Sequence, residues 1–318
     1  MAAMGALPAR FRRERVLIVG CGDVGLRCAR ELGAAAPLPG SGAGGPSPGR
    51  GRVRVLALTS SPGRLAELRR AGITPLLGNL DDPVSLRRLA GLATRVLHLA
   101  PPPGQGAADP RSLALARALA RRSLPQALVY GSTSGVYGDC AGAWVDESRP
   151  VRPATPRARR RVAAEQVLRR WGRTFGVPVS VLRIPGIYAP DREGGTPRER
   201  LLRGTPVLRR EDDVYTNHIH ADDLARACVR ALWRKPAQRV FNVCDDSELL
   251  MGDYYELAAA LYGLPTPERI ARAEAPQRLT PMTLSFMGES RRLRNARLKR
   301  ELRLKPRHAD VLQGLRVG

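Results

Sequence analysis

Three glycines near the start of the chain form the pattern best suited to chemistry. Gly20, Gly22 and Gly25 stand in Gly-x-Gly-x-x-Gly directly after an apolar run at residues 16–19. The first glycine permits a tight strand-to-helix turn, the second lets the backbone approach a pyrophosphate, and the third allows close helix packing. A helix N-terminus behind them presents unpaired N–H groups to phosphates. We therefore expect a dinucleotide site with a helix over 26–32, although such turns can also be glycine-rich for packing alone.

Length and composition indicate an enzyme-sized protein. The 318 residues are 43% hydrophobic, which suits about two domains or one enlarged α/β domain. No apolar run approaches the roughly 20 residues that span a bilayer, and the N-terminus lacks the apolar region of a secretory signal. Five cysteines form no C-x-x-C pair, and an odd number favours a reducing compartment. We therefore expect a cytoplasmic protein without a membrane partner.

A formal charge of +24 raises nucleic-acid binding as an alternative. The source of the charge favours a codon bias instead, because all but three of the 53 basic residues are arginines and they occur in nearly every segment. Aromatic residues make up only 4% of the chain and offer few platforms for stacking bases. We therefore expect non-specific affinity for nucleic acid at low salt and no dedicated nucleic-acid function.

Strand-like segments alternate with helical ones, which predicts a Rossmann-like α/β fold, a doubly wound parallel sheet with a small C-terminal substrate lobe. Asp109 as N-cap and Pro110 at the first helical position open a helix that ends near Arg122. We predict a Rossmann domain over 1–185 and a substrate lobe over 186–318 that is interleaved with returning Rossmann elements at about 214–245. The remaining predicted segments are strands at 53–59, 73–77, 96–100, 127–132 and 177–183, a helix around 64–71, and a disordered Gly/Pro/Ser-rich insertion at 37–51.

Further motifs follow the glycine turn in a fixed order. They are GNLDD at 78–82, VLHLA at 96–100, YGSTSGVYG at 130–138, LRIPGIYAP at 182–190, NHIHADDLA at 217–225, VFNVCDD at 240–246 and ESRRLRN at 289–295. With these motifs the chain resembles an extended short-chain dehydrogenase/reductase of the NAD-dependent epimerase/dehydratase family, and within it the atypical YeeZ-like members. The resemblance covers nearly the whole chain and implies a nicotinamide dinucleotide cofactor.

The end of the second strand bears on the choice between NAD and NADP. Residues 59–64 contain no acidic residue to bind the ribose hydroxyls of NAD, whereas Ser60 and Arg64 offer a hydroxyl and a guanidinium to a 2'-phosphate. We therefore expect NADP in preference to NAD, with Arg27 as a second phosphate candidate, although either arginine can also be a solvated helix residue. Asn79 stands where relatives commonly carry an adenine-contacting Asp. The full set assigned to the cofactor site is Gly20, Gly22, Asp23, Val24, Gly25, Arg27, Ser60, Arg64, Asn79, Leu80, Ala100, Pro101, Arg161 and Pro185.

At the reaction centre the sequence departs from the family. Thr133 aligns with the hydroxyl that binds the substrate oxygen. The lysine of the family's Tyr-x-x-x-Lys element is expected four residues before Glu165, and the two positions of that element hold Arg157 and Arg161. Arginine does not transfer protons near neutral pH. Arg161 can therefore keep part of the cofactor-binding role, but Arg157 cannot replace the phenol.

Tyrosine and histidine side chains elsewhere in the sequence are the alternatives for the missing acid or base. Tyr137 follows Thr133 closely and Tyr188 ends the sixth strand, but packing or nicotinamide contact is the favoured interpretation for Tyr137, and packing for Tyr188. His98 lies in an apolar strand and is expected in the core. A pair of histidines, His218 and His220, is expected to cap a helix and tie the substrate lobe to the sheet. No spacing of His, Cys or carboxylate residues suggests a metal site.

The sequence thus favours an NAD(P)-dependent oxidoreductase or epimerase/dehydratase-like enzyme that acts on a small polar or sugar-type substrate. The arginines at 157–161 make an anionic substrate one option. A non-catalytic NADP-binding regulatory or scaffold protein remains the alternative, because the Tyr-x-x-x-Lys pair is missing. These arginines lie on the helix that forms a dimer interface in relatives, so both a monomer and a homodimer stay open.

Overall fold

The computed structural model describes residues 14–33 and 53–316, so the insertion predicted at 37–51 lies outside the described residues. Numbered in chain order, the strands are β1 (Arg15–Val19), β2 (Arg54–Thr59), β3 (Thr74–Leu77), β4 (Arg95–His98), β5 (Ala127–Thr133), β6 (Trp144–Val145), β7 (Val179–Ile184), β8 (Gly186–Tyr188), β9 (Val207–Leu208), β10 (Tyr215–Thr216), β11 (His218–His220), β12 (Arg239–Asn242), β13 (Leu249–Leu250), β14 (Arg269–Ile270) and β15 (Arg292–Leu293).

Seven strands form one parallel sheet in the order β12-β7-β5-β4-β1-β2-β3. Strand order reverses at β1, where Val19 lies beside Leu58 of β2 on one side and beside His98 of β4 on the other. Ligands of doubly wound sheets bind outside the carboxyl ends of the strands at such a reversal. The predicted doubly wound parallel sheet is confirmed. The glycine turn follows β1, the strand at which the strand order reverses.

Helices cover both faces of the sheet. They are α1 (Asp23–Glu31), α2 (Leu65–Arg70), α3 (Pro110–Leu119), α4 (Pro156–Phe175), α5 (Arg198–Leu202), α6 (Ala221–Arg234), α7 (Met251–Tyr262), α8 (Ala275–Arg278), α9 (Pro281–Met287), α10 (Ala296–Glu301) and α11 (Val311–Arg316). Because side chains alternate along a strand, Val16 and Ile18 pack with α1 and α6, whereas Leu17 and Val19 pack with α3 and α4. No helix within the described residues is long and apolar enough to cross a membrane.

The element boundaries follow local signals closely. Asp109 caps α3 as predicted, since its carboxylate accepts from the backbone N–H groups of Arg111 and Ser112. The helix predicted over 26–32 begins earlier, at Asp23, because Gly22 is its extended N-cap and the third glycine of the motif lies inside the first turn. The helix predicted to end near Arg122 ends at Leu119.

Short elements, mostly from the second half of the chain, form a lobe beside the sheet. Four two-stranded pairs occur there, β8 with β11, β9 with β14, β10 with β13 and β6 with β15. A separate apolar cluster joins α5, α7 and α11 to Tyr188 of β8. The chain returns to the large sheet through α6 and β12, which pairs with β7. The domain division after residue 185 stays a prediction.

Candidate functional site

The three glycines of the first turn have different surroundings. Gly20 has φ +88°, and a Cβ added to it would lie 2.4 Å from the backbone nitrogen of Ala100. A Cβ on Gly25 would lie 3.2 Å from the carbonyl oxygen of Gly20. By contrast, no heavy atom of the described residues lies within 4 Å of a Cβ added to Gly22. The first and third glycines thus allow close packing, and the second borders open space that a phosphate can approach.

The start of α1 adds an electrostatic component to this open space. Gly22 precedes the helix without any side-chain cap hydrogen bond from the described residues. The first backbone N–H groups of a helix have no intrahelical acceptor, and the helix dipole is positive at this end. Asp23 and Val24 open the helix, so their backbone groups are suited to an anion such as a pyrophosphate.

The structure does not support Arg27 as a phosphate ligand. Its guanidinium is 3% exposed and forms ion pairs with Asp23 at 3.1 Å, Asp191 at 2.7 Å and Asp222 at 2.5 Å. The partners at 191 and 222 come from distant parts of the chain, which the spacing around the glycine turn could not reveal. Arg27 instead joins α1 to the start of α6.

Arg64 lies beside the glycine turn, as a 2'-phosphate ligand should. Its Nη1 donates to the carbonyl oxygen of Cys21 at 2.7 Å, and its Nε and Nη2 donate to the carboxylate of Glu67 at 3.1 and 3.0 Å. The side chain is one-third exposed. Ser60 is exposed at the end of β2. A bound 2'-phosphate would compete with Glu67 for this guanidinium.

The remaining residues of the predicted cofactor site lie where β3 and β4 end. Asn79 is exposed, and its Oδ1 accepts from the backbone nitrogen of Asp81 at 3.0 Å. Leu80 and Ala100 are half-buried, and Pro101 is exposed. These residues form a row along the carboxyl edge of the sheet, on both sides of β1.

A cavity of about 570 Å³ opens where β5 and β7 end and extends beneath the C-terminal lobe. It brings together five of the predicted site residues, which are Val24, Thr133, Arg161, Pro185 and Tyr188. Because Val24 belongs to the first turn of α1, the cavity reaches from the glycine turn to the lobe. The other predicted cofactor residues do not line it.

The two arginines at the positions of the Tyr-x-x-x-Lys pair both line the cavity. Arg161 Nη1 donates to the carbonyl oxygen of Gly131 at 2.6 Å and to the hydroxyl of Tyr130 at 3.2 Å. Arg157 is exposed and places its guanidinium 4.9 Å from the centre of the Phe286 ring. Arg161 is therefore held against the sheet, while the charge of Arg157 faces the cavity mouth.

Neither candidate tyrosine is suited to proton transfer. Tyr137 is buried outside the cavity lining, and its hydroxyl donates to Asn242 Oδ1 at 2.8 Å. Burial raises the pKa of Tyr137 to about 12. The structure thus corrects its assignment as a catalytic residue. Tyr188 lines the cavity, but its hydroxyl donates to the backbone oxygen of Asp310 at 3.2 Å, and burial raises its pKa.

The histidines have structural surroundings. His98 is fully buried next to Ser112 Oγ at 2.9 Å, and burial lowers its pKa to about 3. Burial also lowers the pKa of His218 to about 3. His220 accepts from the backbone nitrogen of Asp222 and so caps α6. The core position of His98 and the capping role of His220 are confirmed.

One chemically capable side chain was missed by the sequence. Glu289 is the one carboxylate among the described residues that line the cavity. Its Oε2 accepts from Arg291 Nη1 at 2.8 Å, whereas its buried Oε1 has no hydrogen-bond partner among the described residues. The only signal in the sequence was its position at the start of the motif at 289–295.

Residues 49–244 match the model of the NAD dependent epimerase/dehydratase family. The chain belongs to this family. Its predicted membership is confirmed, whereas placement among the YeeZ-like members stays a prediction. Over 180 residues the chain is 29% identical to the GDP-6-deoxy-D-mannose reductase of Pseudomonas aeruginosa, a match that covers 51% of this chain and 59% of the reductase. The chain spans less than two thirds of the length of the curated relatives it matches.

Solved structures of similar proteins match almost the whole of this chain. A functionally unknown conserved protein from Silicibacter pomeroyi is 30% identical with a TM-score of 0.74, and the match covers 95% of this chain and 97% of that one. The UDP-glucuronic acid 4-epimerase of Bacillus cereus, solved with UDP-glucuronic acid and NAD, is 19% identical with a TM-score of 0.71 and coverage of 95% and 96%. At 19% identity, the match to the Bacillus cereus epimerase shows a shared fold.

Proposed function

We propose that the protein is an NAD(P)-dependent oxidoreductase or epimerase that acts on a nucleotide sugar. The observation that carries the proposal is the cavity that runs from Val24 at the glycine turn, past Thr133, to arginines beneath the C-terminal lobe. This path joins a site for a dinucleotide to a site for a second anionic ligand. The nucleotide sugar and NAD named for the Bacillus cereus relative support both parts.

The residues at the carboxyl edge of the sheet fit a dinucleotide. Gly20 and Gly25 permit the close turn, and the open space beside Gly22 leaves room for a pyrophosphate at the N-terminus of α1. Ser60 and Arg64 lie at the adenosine end without an acidic residue at the tip of β2, which favours NADP over NAD. When bound, the cofactor supplies a hydride donor or acceptor; the described residues bind and orient the reactants.

The cavity is strongly positive. Its wall contains five arginines and one carboxylate among the described residues, and the arginines are Arg157, Arg161, Arg192, Arg200 and Arg291. Most of them already have protein partners. Arg200 Nη1 donates to the Tyr255 hydroxyl, and Arg192 Nη1 donates to the backbone oxygen of Ile187. Arg157 has no carboxylate partner within the described part of the chain, so its charge is available to the phosphates of a nucleotide sugar.

Thr133 is placed to hold the reacting oxygen of a substrate. Its Oγ1 accepts from the backbone nitrogen of Gly135 at 3.3 Å, which leaves the hydroxyl hydrogen free to donate. Arg161 lies on the neighbouring wall with one nitrogen bonded to the backbone of β5. By the family resemblance, Arg161 stands at the position that contacts the nicotinamide ribose.

Calorimetric titration of the cofactor-saturated protein with UDP-glucose tests the substrate class. Arg157→Ala should weaken UDP-glucose binding about tenfold, since a charge-assisted contact to phosphate is lost. Arg159→Ala is the matched control, because Arg159 is exposed on the same helix and does not line the cavity. Equal affinity for all three proteins, or no binding of UDP-, dTDP- or GDP-sugars, would contradict the proposed substrate.

The missing phenol at position 157 favours one second candidate, a regulatory or scaffold protein that binds NADP without turnover. It predicts cofactor binding by the wild-type protein without hydride transfer to or from any nucleotide sugar. Any measured hydride transfer excludes it.

A further inference from the structure

We propose that Glu289 is the acid/base residue of this site, in place of the absent tyrosine, and exchanges a proton with a substrate hydroxyl held at Thr133. The inference rests on the proposed function for the cofactor and the substrate class. It adds a catalytic residue from a part of the chain that is remote from the Tyr-x-x-x-Lys positions.

Glu289 and Thr133 face the same small space. A methyl group placed on Gly135 would lie 3.7 Å from Thr133 Oγ1 and 3.8 Å from Glu289 Oε2. Both side chains also line the cavity. An oxygen atom of a ligand that enters this space beside Gly135 would therefore have the Thr133 hydroxyl on one side and the Glu289 carboxylate on the other.

The carboxylate of Glu289 is held in position but is not fully satisfied. Its side chain is 12% exposed, and its Oε2 accepts from Arg291 Nη1 at 2.8 Å. The same nitrogen of Arg291 donates to the carbonyl oxygen of Gly138 at 2.7 Å, which fixes the guanidinium. Oε1 is buried and has no donor among the described residues. Oε2 is the oxygen nearest the space beside Gly135, and with Arg291 as its donor it can accept a second hydrogen bond from a substrate hydroxyl there.

The other titratable side chains of the cavity wall are less suited to this role. The hydroxyl of Tyr188 is bonded to a backbone carbonyl, and that of Tyr255 to an arginine. Burial lowers the pKa of His218 to about 3 and raises the pKa of Tyr254. Glu211 is exposed and does not line the cavity, so Glu211→Gln serves as the matched control.

The side chains around Glu289 are mainly basic. Arg291 is bonded to it directly, and Arg157 and Arg161 line the same cavity. Asp139, from a distant part of the chain, accepts from the backbone nitrogen of the neighbouring Ser290. The carboxylate thus lies among cations that can hold the anionic groups of a substrate.

Glu289 takes part in both directions of the proposed reaction. In the direction of oxidation, the O–H bond of the substrate hydroxyl breaks and its proton bonds to a carboxylate oxygen of Glu289. The O–H electron pair forms the carbonyl bond, and the hydride of the same carbon would pass to the oxidised nicotinamide cofactor. In the reverse direction, the protonated carboxyl returns the proton to the carbonyl oxygen, and the reduced cofactor would supply the hydride. Thr133 donates its hydroxyl hydrogen to the same substrate oxygen in both directions.

The test compares Glu289→Gln, Glu289→Asp and the control Glu211→Gln with the wild-type protein. Hydride transfer is followed by NADPH absorbance with UDP-glucose, dTDP-glucose and GDP-mannose as probes, across about pH 5 to 9. Calorimetric titration with NADP⁺ measures cofactor binding separately, and thermal melting checks folding.

Glu289→Gln should lower kcat about 10²- to 10⁴-fold and remove the acid limb of the kcat/KM profile, with NADP⁺ affinity within about twofold of wild type. Glu289→Asp should retain the acid limb, and Glu211→Gln should retain wild-type activity. Wild-type activity in Glu289→Gln, or a wild-type protein that binds cofactor and sugars without hydride transfer, would overturn the proposal. If the folded wild-type protein does not bind the cofactor, the proposed function itself is contradicted.

Discussion

Arg161 Nη1 lies 2.6 Å from the carbonyl oxygen of Gly131, so an arginine at the family's lysine position is bonded directly to the end of a sheet strand. The bond joins α4 to β5 at the edge where the cavity opens. It keeps a positive charge beside the expected cofactor site, but the position of the family's catalytic tyrosine holds Arg157. We therefore expect cofactor binding and proton transfer to depend on different residues in this chain.

Gly22→Asp should abolish cofactor binding without unfolding the protein. A side chain at this position meets no heavy atom of the described residues within 4 Å, but its carboxylate would occupy the space proposed for the pyrophosphate and repel it. Gly20→Ala is the contrasting variant, because its Cβ would lie 2.4 Å from Ala100 N at φ +88° and should lower the melting temperature. Calorimetry and thermal melting of both variants check this. Unchanged affinity in Gly22→Asp would refute the site.

Arg64→Ala should weaken NADPH binding about tenfold and leave NADH binding nearly unchanged, because the guanidinium is proposed to contact only the 2'-phosphate. Arg69→Ala provides the matched control, since Arg69 is an exposed arginine of α2, the helix that begins directly after Arg64. Fluorescence titration with the two reduced cofactors measures the difference. A similar loss of affinity for both cofactors would mean that Arg64 acts through its bond to Cys21 and not through a phosphate.

Glu165→Ala should destabilise the fold by about 3–5 kcal/mol, because it leaves Arg183 buried without a countercharge. Glu165 accepts from Arg183 Nη2 at 2.9 Å and from Ser132 Oγ at 2.5 Å, and both members of the ion pair are about 5% exposed. Removal of the exposed ion pair to Arg111 by Asp81→Ala should change stability by less than about 1 kcal/mol. Urea denaturation compares the two. Equal effects would contradict the role assigned to the buried pair.

Acidification should destabilise the protein through its buried histidines. Burial lowers the pKa of His98 and of His218 from 6.5 to about 3 in the folded state. Between these values the unfolded chain binds protons that the folded chain does not, so stability falls as pH decreases below about 6.5, by about 1.4 kcal/mol per pH unit for each histidine. Urea denaturation at several pH values should show a shallower slope for His98→Gln than for wild type. Identical slopes would contradict neutral burial of His98.

Local chemistry explains what the sequence could predict. Three features depend mainly on neighbouring residues and occur as expected. They are the glycine turn, the Asp109 cap and the succession of strands and helices along the chain. Distant contacts explain the errors. Arg27 is bonded to Asp191 and Asp222, and the hydroxyl of Tyr137 to Asn242, which lies 105 residues further along the chain.

Dependence on distant contacts also explains why the sequence did not indicate Glu289 as a site residue. It reaches the cavity only because the segment after α9 folds back beside Gly135, and no spacing along the chain encodes that approach. Arg161 was predicted at the site because the family motif fixes its position on α4, but its bond to Gly131 depends on how that helix packs on the sheet.

The most direct test of the account is calorimetric titration of the wild-type protein with NADPH and NADH at physiological ionic strength. Both cofactors should bind, with NADPH the tighter and its advantage lost in Arg64→Ala. Absence of binding by every form of the cofactor, with the protein folded, would contradict it.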